Sequence, residues 1–148
     1  MNDGKEWQDT LPEFLLEAEM LLTKSEECLS HLRQFRNDND AIDCLKGSLL
    51  KLAEKADAMA LSAISTFPRR LLSLFGNAQN PLQLHDEALK VLHDCLNLMA
   101  WQLELIDPKT GKLSLDENEQ TALIATAIQQ IPQIGLESPA RQTLSHTA

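Results

Sequence analysis

Tyrosine is absent from this chain, aromatic residues make up only 4% of it, and just five glycines occur in 148 residues. No stretch alternates apolar with polar residues in the way a half-buried strand does. Leucine and alanine dominate instead. These absences argue against a sheet and for an all-α fold. Cations are in short supply as well: 13 Lys and Arg face 22 Asp and Glu, a formal net charge of −9. A surface that tracks phosphates needs the opposite sign, so nucleic acid is not expected as a partner, and the same acidity disfavours anionic lipid. No apolar run approaches the roughly 18–20 residues that span a bilayer, and the opening MNDGKEWQDT lacks the charged-then-apolar pattern of a signal peptide. The expectation is a cytoplasmic protein with no membrane partner.

Metal and redox spacings are missing too. Cys28, Cys44 and Cys95 are odd in number and fall in separate helical segments, so reduced cysteines are the simple reading. His31, His85, His93 and His146 include no i, i+4 pair of the kind that holds zinc on a helix, and each reads as an ordinary surface or boundary residue. Asp107 to Glu117 holds a glycine among acids, but a calcium loop needs glycine at its sixth place and oxygen ligands at the first, third and fifth. Counted from Asp107, Gly111 is fifth and Lys109 is third. No G-x-S-x-G or phosphate-cradling glycine loop occurs. The expectation is therefore no enzyme, no catalytic residues, no metal and no cofactor.

What the chain does have is helical periodicity. Hydrophobic residues make up 43% of it and charged residues 24%, enough for one domain with a real core. Thr10-Leu11-Pro12-Glu13 reads as a capping box opening a first helix, with Leu11, Phe14, Leu15, Ala18, Leu21, Leu22, Leu29 and Leu32 at three- and four-residue spacing. Arg36 to Asp40 is a polar break rich in capping residues. Ile42, Leu45, Leu49, Leu52, Ala56, Met59 and Ala63 form the cleanest stripe, and their helix should end by Phe67 because Pro68 disfavours helical geometry in the residue before it. A short helix from Pro68 to Phe75 follows, with Gly76 just past its end. A long helix opens at Asn80-Pro81 and is apolar over a wide arc. Asp107 to Gly111 is a turn, and Ser114 to Glu117 is a second capping box. The helices are predicted near residues 10–35, 40–66, 68–75, 81–106 and 115–131. Residues 1–132 read as a single bundle domain and 133–148 as a loose tail. Long helices with short connections predict an up-and-down antiparallel bundle of the four-helix type with one short extra helix.

The second helix contains Asp43-Cys44-Leu45-Lys46-Gly47-Ser48. At about 100° per residue, Asp43, Lys46, Gly47 and Leu50 share one strip, extended by Glu54 and Asp57, nearly opposite the apolar stripe. Glycine inside a helix costs up to ~1 kcal/mol relative to alanine, and burial cannot offset that at an outward position. It opens a gap where another molecule can approach the backbone, with Leu50 as an apolar group beside it. The echo at His93-Asp94-Cys95-Leu96 fails, since Asn97 and Leu98 stand where lysine and glycine would be needed.

This stretch resembles the H-x-x-K-G motif on the exposed face of the second helix in histidine-containing phosphotransfer domains, above all the first domain of chemotaxis histidine kinases. The preceding helix, Phe14-Leu15-Leu16-Glu17-Ala18-Glu19-Met20-Leu21-Leu22 followed by Glu26 and Leu29, is similar to the family's opening helix, F-x-x-E-A-x-x-L-L. The similarity covers roughly residues 10–110. Two departures stand out. The acceptor position holds Asp43 instead of histidine, and no glycine-containing break follows the lysine–glycine pair. A phosphorylatable aspartate needs clustered carboxylates for Mg²⁺, which a lone Asp43 beside Lys46 does not supply. The resemblance thus implies a bacterial, cytoplasmic pseudo-phosphotransfer module with Asp43 as a degenerate acceptor. Its docking face would be Asp43, Lys46, Gly47, Leu50 and Glu54, and its partner a receiver domain or a histidine-kinase component of two-component signalling. The alternatives are an active phosphorelay protein using another histidine and a structural bundle unrelated to phosphorelay.

Overall fold

The structure is a computed structural model that describes residues 3–36, 38–76, 78 and 84–131, with side chains from Thr10 onward. Five helices form among these residues: α1 (Asp3–Gln34), α2 (Asn39–Ala58), α3 (Ser62–Gly76), α4 (Asp86–Leu105) and α5 (Asn118–Gln130). No strand forms among them, and the all-α expectation holds. The expected tail at 133–148, the helix start at Asn80-Pro81 and His146 lie outside the described residues.

Packing runs in a closed ring, with α1 against α2 and α4, and α3 against α2 and α4, while α5 lies on α3 and α4. Side-chain pairs give the directions. Glu17 meets Lys55 near one end of the α1–α2 seam and His31 meets Asp38 at the other. Glu26 meets His93, and Arg36, just past α1, meets Asp86 at the start of α4. Helix α1 therefore runs opposite to both of its neighbours. A single core draws on all five helices, from Phe14 and Leu29 through Leu45, Leu49, Phe67 and Leu71 to Leu92, Leu96, Ile124 and Ala127. Each fully buried leucine contributes about 1.5–3 kcal/mol. One polar tie crosses this core: Gln102 Nε2 on α4 donates to Gln120 Oε1 on α5 at 3.2 Å, both residues being buried.

Helix boundaries differ from the expectation in four places. Helix α1 begins at Asp3, ahead of the Thr10 capping box, and carries Pro12 inside it. Thr10 instead donates its hydroxyl to Met59 Sδ at 3.5 Å, tying α1 to the end of α2. Helix α4 begins at Asp86, with His85 as an N-cap that makes no side-chain capping bond. The apolar arc of α4 is buried from Ala88 to Leu103, but Leu105 is exposed. Helix α5 begins at Asn118, because Asp116 Oδ1 accepts from the Asn118 N–H at 3.0 Å and makes an Asx turn where a Ser114 capping box was expected.

The fourth difference is the largest. The second helix does not run to Phe67; it stops after Ala58, and Pro68 lies buried inside α3. The chain reverses at Ala60, whose φ of 58° is left-handed. The Leu61 N–H donates to the Ala56 carbonyl at 2.8 Å and the Ala60 N–H to the Asp57 carbonyl at 2.9 Å. That pair of bonds is a Schellman motif with alanine in the place usually held by glycine. Ala63 consequently leaves the stripe and is exposed, while Leu61 is buried. Helix α3 tolerates Pro68, which lacks an N–H, because Ile64, Phe67, Leu71, Leu74 and Phe75 bury the same face.

At the start of α2, Asp38 caps the helix by accepting from the Asp40 N–H at 2.9 Å and the Ala41 N–H at 3.3 Å. The left-handed residue at the other end sets a test. Ala60→Gly relieves the Cβ clash of that conformation and is expected to stabilise the protein by about 1 kcal/mol, whereas Ala60→Val is expected to destabilise it. Urea denaturation of the two variants against the parent measures both signs.

Candidate functional site

Helix α2 turns Ile42, Leu45, Leu49, Leu52 and Ala56 into the core. The opposite side carries Asp43, Gly47, Leu50, Lys51 and Glu54 in solvent, with Lys46 half-buried. The five residues named from the sequence therefore share one outward strip. A Cβ built on Gly47 would meet nothing within 4 Å, so no neighbouring side chain requires the glycine. Leu50 beside it is 42% exposed. Exposure alone does not single Leu50 out, since Leu16 and Met20 on α1 and Trp101 on α4 are more exposed. The gap beside it does.

Three cross-links frame the strip. His31 Nε2 lies 2.6 Å from Asp38 Oδ2 at its N-terminal end. Lys55 pairs with Glu17 on α1, and Asp57 accepts from Arg69 on α3 at its C-terminal end. Asp57 thus belongs to the frame and not to the free strip. Inside the frame Asp43, Lys46, Lys51 and Glu54 form no ion pair among the described residues. Two acids and two bases, Lys46 among them half-buried, stand there with no ion-pair partner among the described residues, a locally balanced patch on an acidic chain.

The carboxylates of the frame have shifted proton affinities. Asp38 is held below its ordinary 3.8 by the hydrogen bond from His31 and by the Ala41 N–H. Asp57 is held below the same value by the Ser65 hydroxyl and by Arg69.

Of the described histidines, His31 and His93 have side-chain partners. His93 Nδ1 lies 2.9 Å from Glu26 Oε2, and its Nε2 lies 3.3 Å from Asn97 Nδ2. His31 stacks obliquely on Phe35 as well as pairing with Asp38. His85 stands exposed at the α4 cap. The Glu26–His93 pair joins residues 67 positions apart, beyond the reach of any local motif. Among the described residues, no group of three or more His, Cys, Asp or Glu side chains is arranged to hold a metal ion, and no helix is long and apolar enough to cross a membrane. The Asp107–Gly111 turn is built as a turn: the Asp107 carbonyl accepts from the Gly111 N–H at 2.8 Å, and Gly111 takes a φ of 72°.

Comparison of the chain with protein-family models, with curated proteins and with solved structures gives no match in any of the three.

Two expected outcomes follow from this geometry. Because space is open at Gly47, Gly47→Ala is expected to stabilise the fold by up to ~1 kcal/mol. Gly47→Gln and Leu50→Ala should leave it nearly unchanged, against ~2–5 kcal/mol lost on Leu49→Ala. Thermal melts of the four variants decide this. The second concerns pH. Asp38 and Asp57 are more acidic folded than unfolded, so their contribution is present above 3.8 and is lost as pH falls from there toward the lowered folded values. Asp38→Asn should flatten that acid-side loss of stability, and chemical melts across the acid range would register it.

Proposed function

We propose that this protein is a non-catalytic binding module of two-component signalling, a pseudo-phosphotransfer bundle that docks a receiver domain or another signalling partner through the outer strip of α2. One observation carries the reading. A glycine that costs helix stability stands on the outward side of α2, clear of every neighbouring side chain, with an exposed leucine one turn away. Packing gives no reason for that glycine, whereas close approach of a second molecule does. The unpaired charges of Asp43, Lys46, Lys51 and Glu54 supply polar contacts around an apolar centre, the arrangement of an ordinary protein interface. The order of elements and the lysine–glycine pair support this reading, through the resemblance to phosphotransfer domains that they carry.

Asp43 acts in this reading as a contact residue. It stands in the acceptor position, but a carboxylate acceptor requires a Mg²⁺ site built from further acids, and no such group surrounds it among the described residues. A relay through Asp43 is therefore not part of the proposal.

The test is a binding titration against receiver domains of the source cell, paired with melts. Gly47→Gln and Leu50→Ala should each weaken association roughly tenfold, a loss of about 1.4 kcal/mol, while both variants stay folded. Unchanged affinity in both variants, or no binding of any receiver domain, would count against the docking strip. In the same system the unaltered protein should take up no phosphoryl group from a cognate donor. Acid-labile phosphohistidine on it would instead favour an active relay through another histidine.

A further inference from the structure

Two cysteines that stand 16 positions apart in the sequence are brought face to face by the α1–α2 seam. The Glu17–Lys55 pair sets the register of these antiparallel helices. Cys28 lies 11 residues beyond Glu17 (28 − 17), and Cys44 lies 11 residues before Lys55 (55 − 44). Such a step is about three whole turns. Each cysteine therefore returns to the side of its helix that the ion pair turns toward the other, at matching heights. Burial agrees: Cys28 is buried in the core, and Cys44 is half-buried against the same cluster. Burial first, and then the neighbouring Cys44 side chain, push the Cys28 thiol up to about 12. Cys95 is fully buried on α4, a helix that does not pack on α2.

We propose that Cys28 and Cys44 are a dithiol site that a small-molecule disulfide, such as oxidised glutathione, converts into an intramolecular disulfide linking α1 to α2. Cys44 has the exposure to react first. It gives up its proton, its thiolate attacks one sulfur of the oxidant, and the oxidant's S–S bond breaks to release one reduced thiol. Cys28, facing it across the seam, then loses its proton and attacks the Cys44 sulfur. That breaks the mixed disulfide and releases the second reduced thiol. The protein loses two hydrogens and two electrons, and one oxidant disulfide becomes two thiols. The high proton affinity of Cys28 makes this second step the slower one. In a reducing compartment such a bond is transient, as expected of a redox-responsive site.

The experiment treats the reduced full-length protein with oxidised glutathione, blocks remaining thiols with an alkylating agent under denaturing conditions, and maps tryptic peptides without reduction. The expected product joins residues 25–33 to residues 37–46, with Cys95 alkylated. In Cys28→Ser the reaction should stop at a glutathione adduct on Cys44, and Cys28→Ala repeats that arm with a second replacement. The oxidised protein should also unfold at a higher urea concentration than the reduced one, since a closed loop restricts the unfolded chain. A stable glutathione adduct on Cys44 of the unaltered protein would overturn the proposal. So would disulfide-linked dimers through Cys44, or full alkylation of Cys28 and Cys44 after oxidant.

Discussion

The left-handed backbone at Ala60 sets where α2 ends, and the rest of the bundle follows from that position. A non-glycine residue in this conformation costs about 1–2 kcal/mol. The two reversed hydrogen bonds and the burial of Leu61 behind it offset that cost. With α2 stopped, the chain turns back at once, and α3 lies along α2 with Phe67 and Leu71 in the core and Arg69 on Asp57. A helix continued to Phe67 would carry that side chain roughly 13 Å past the end of α2, with Arg69 and Leu71 farther still. The core would lose its side toward α3, and α5 would lose one of the two helices it rests on.

Direction and energy come from different side chains in this fold. The pairs Glu17–Lys55, Arg36–Asp86 and Glu26–His93 are each more than a third exposed, so water and salt screen them and they add little stability. They mark which residues stand opposite each other. The energy sits in the leucine-rich interior that the helices share. The Gln102–Gln120 pair combines the two roles. It is buried, makes one hydrogen bond, and leaves Gln102 Oε1 and Gln120 Nε2 without a partner. A polar tie of that kind costs stability and fixes how α5 sits on α4.

The candidate site was legible because it depends only on helical phase. Once Ile42, Leu45, Leu49 and Leu52 point inward, the pitch of the helix sends Asp43, Gly47, Leu50 and Glu54 outward whatever α2 packs against. What phase could not supply was the frame. Asp57 falls on the same strip by angle, yet Arg69 of α3 engages it, and that contact exists only because the chain reverses at Ala60. The thiol pair was invisible for a similar reason, because cysteine spacing along a chain reports local ligand motifs and says nothing of the register between two helices.

Composition and period determined the fold class, the number of helices, and the inner and outer sides of α2, since these follow from side-chain direction on a single helix. Helix ends were another matter. Pro68 and the Thr10 and Ser114 capping patterns were read by local rules; tertiary packing overrode the first two, and a local Asx turn at Asp116 displaced the third. Buried residues on either side carry α3 across Pro68, and Thr10 bonds to Met59 instead of opening α1. The break at Ala60 had no signal in the sequence, because an alanine held left-handed by hydrogen bonds and a buried neighbour looks like any other helix former. Only the folded chain decided which helices meet, where Glu26 finds His93, and that Cys28 faces Cys44, since each of these is set by contacts between helices and not by preferences within one.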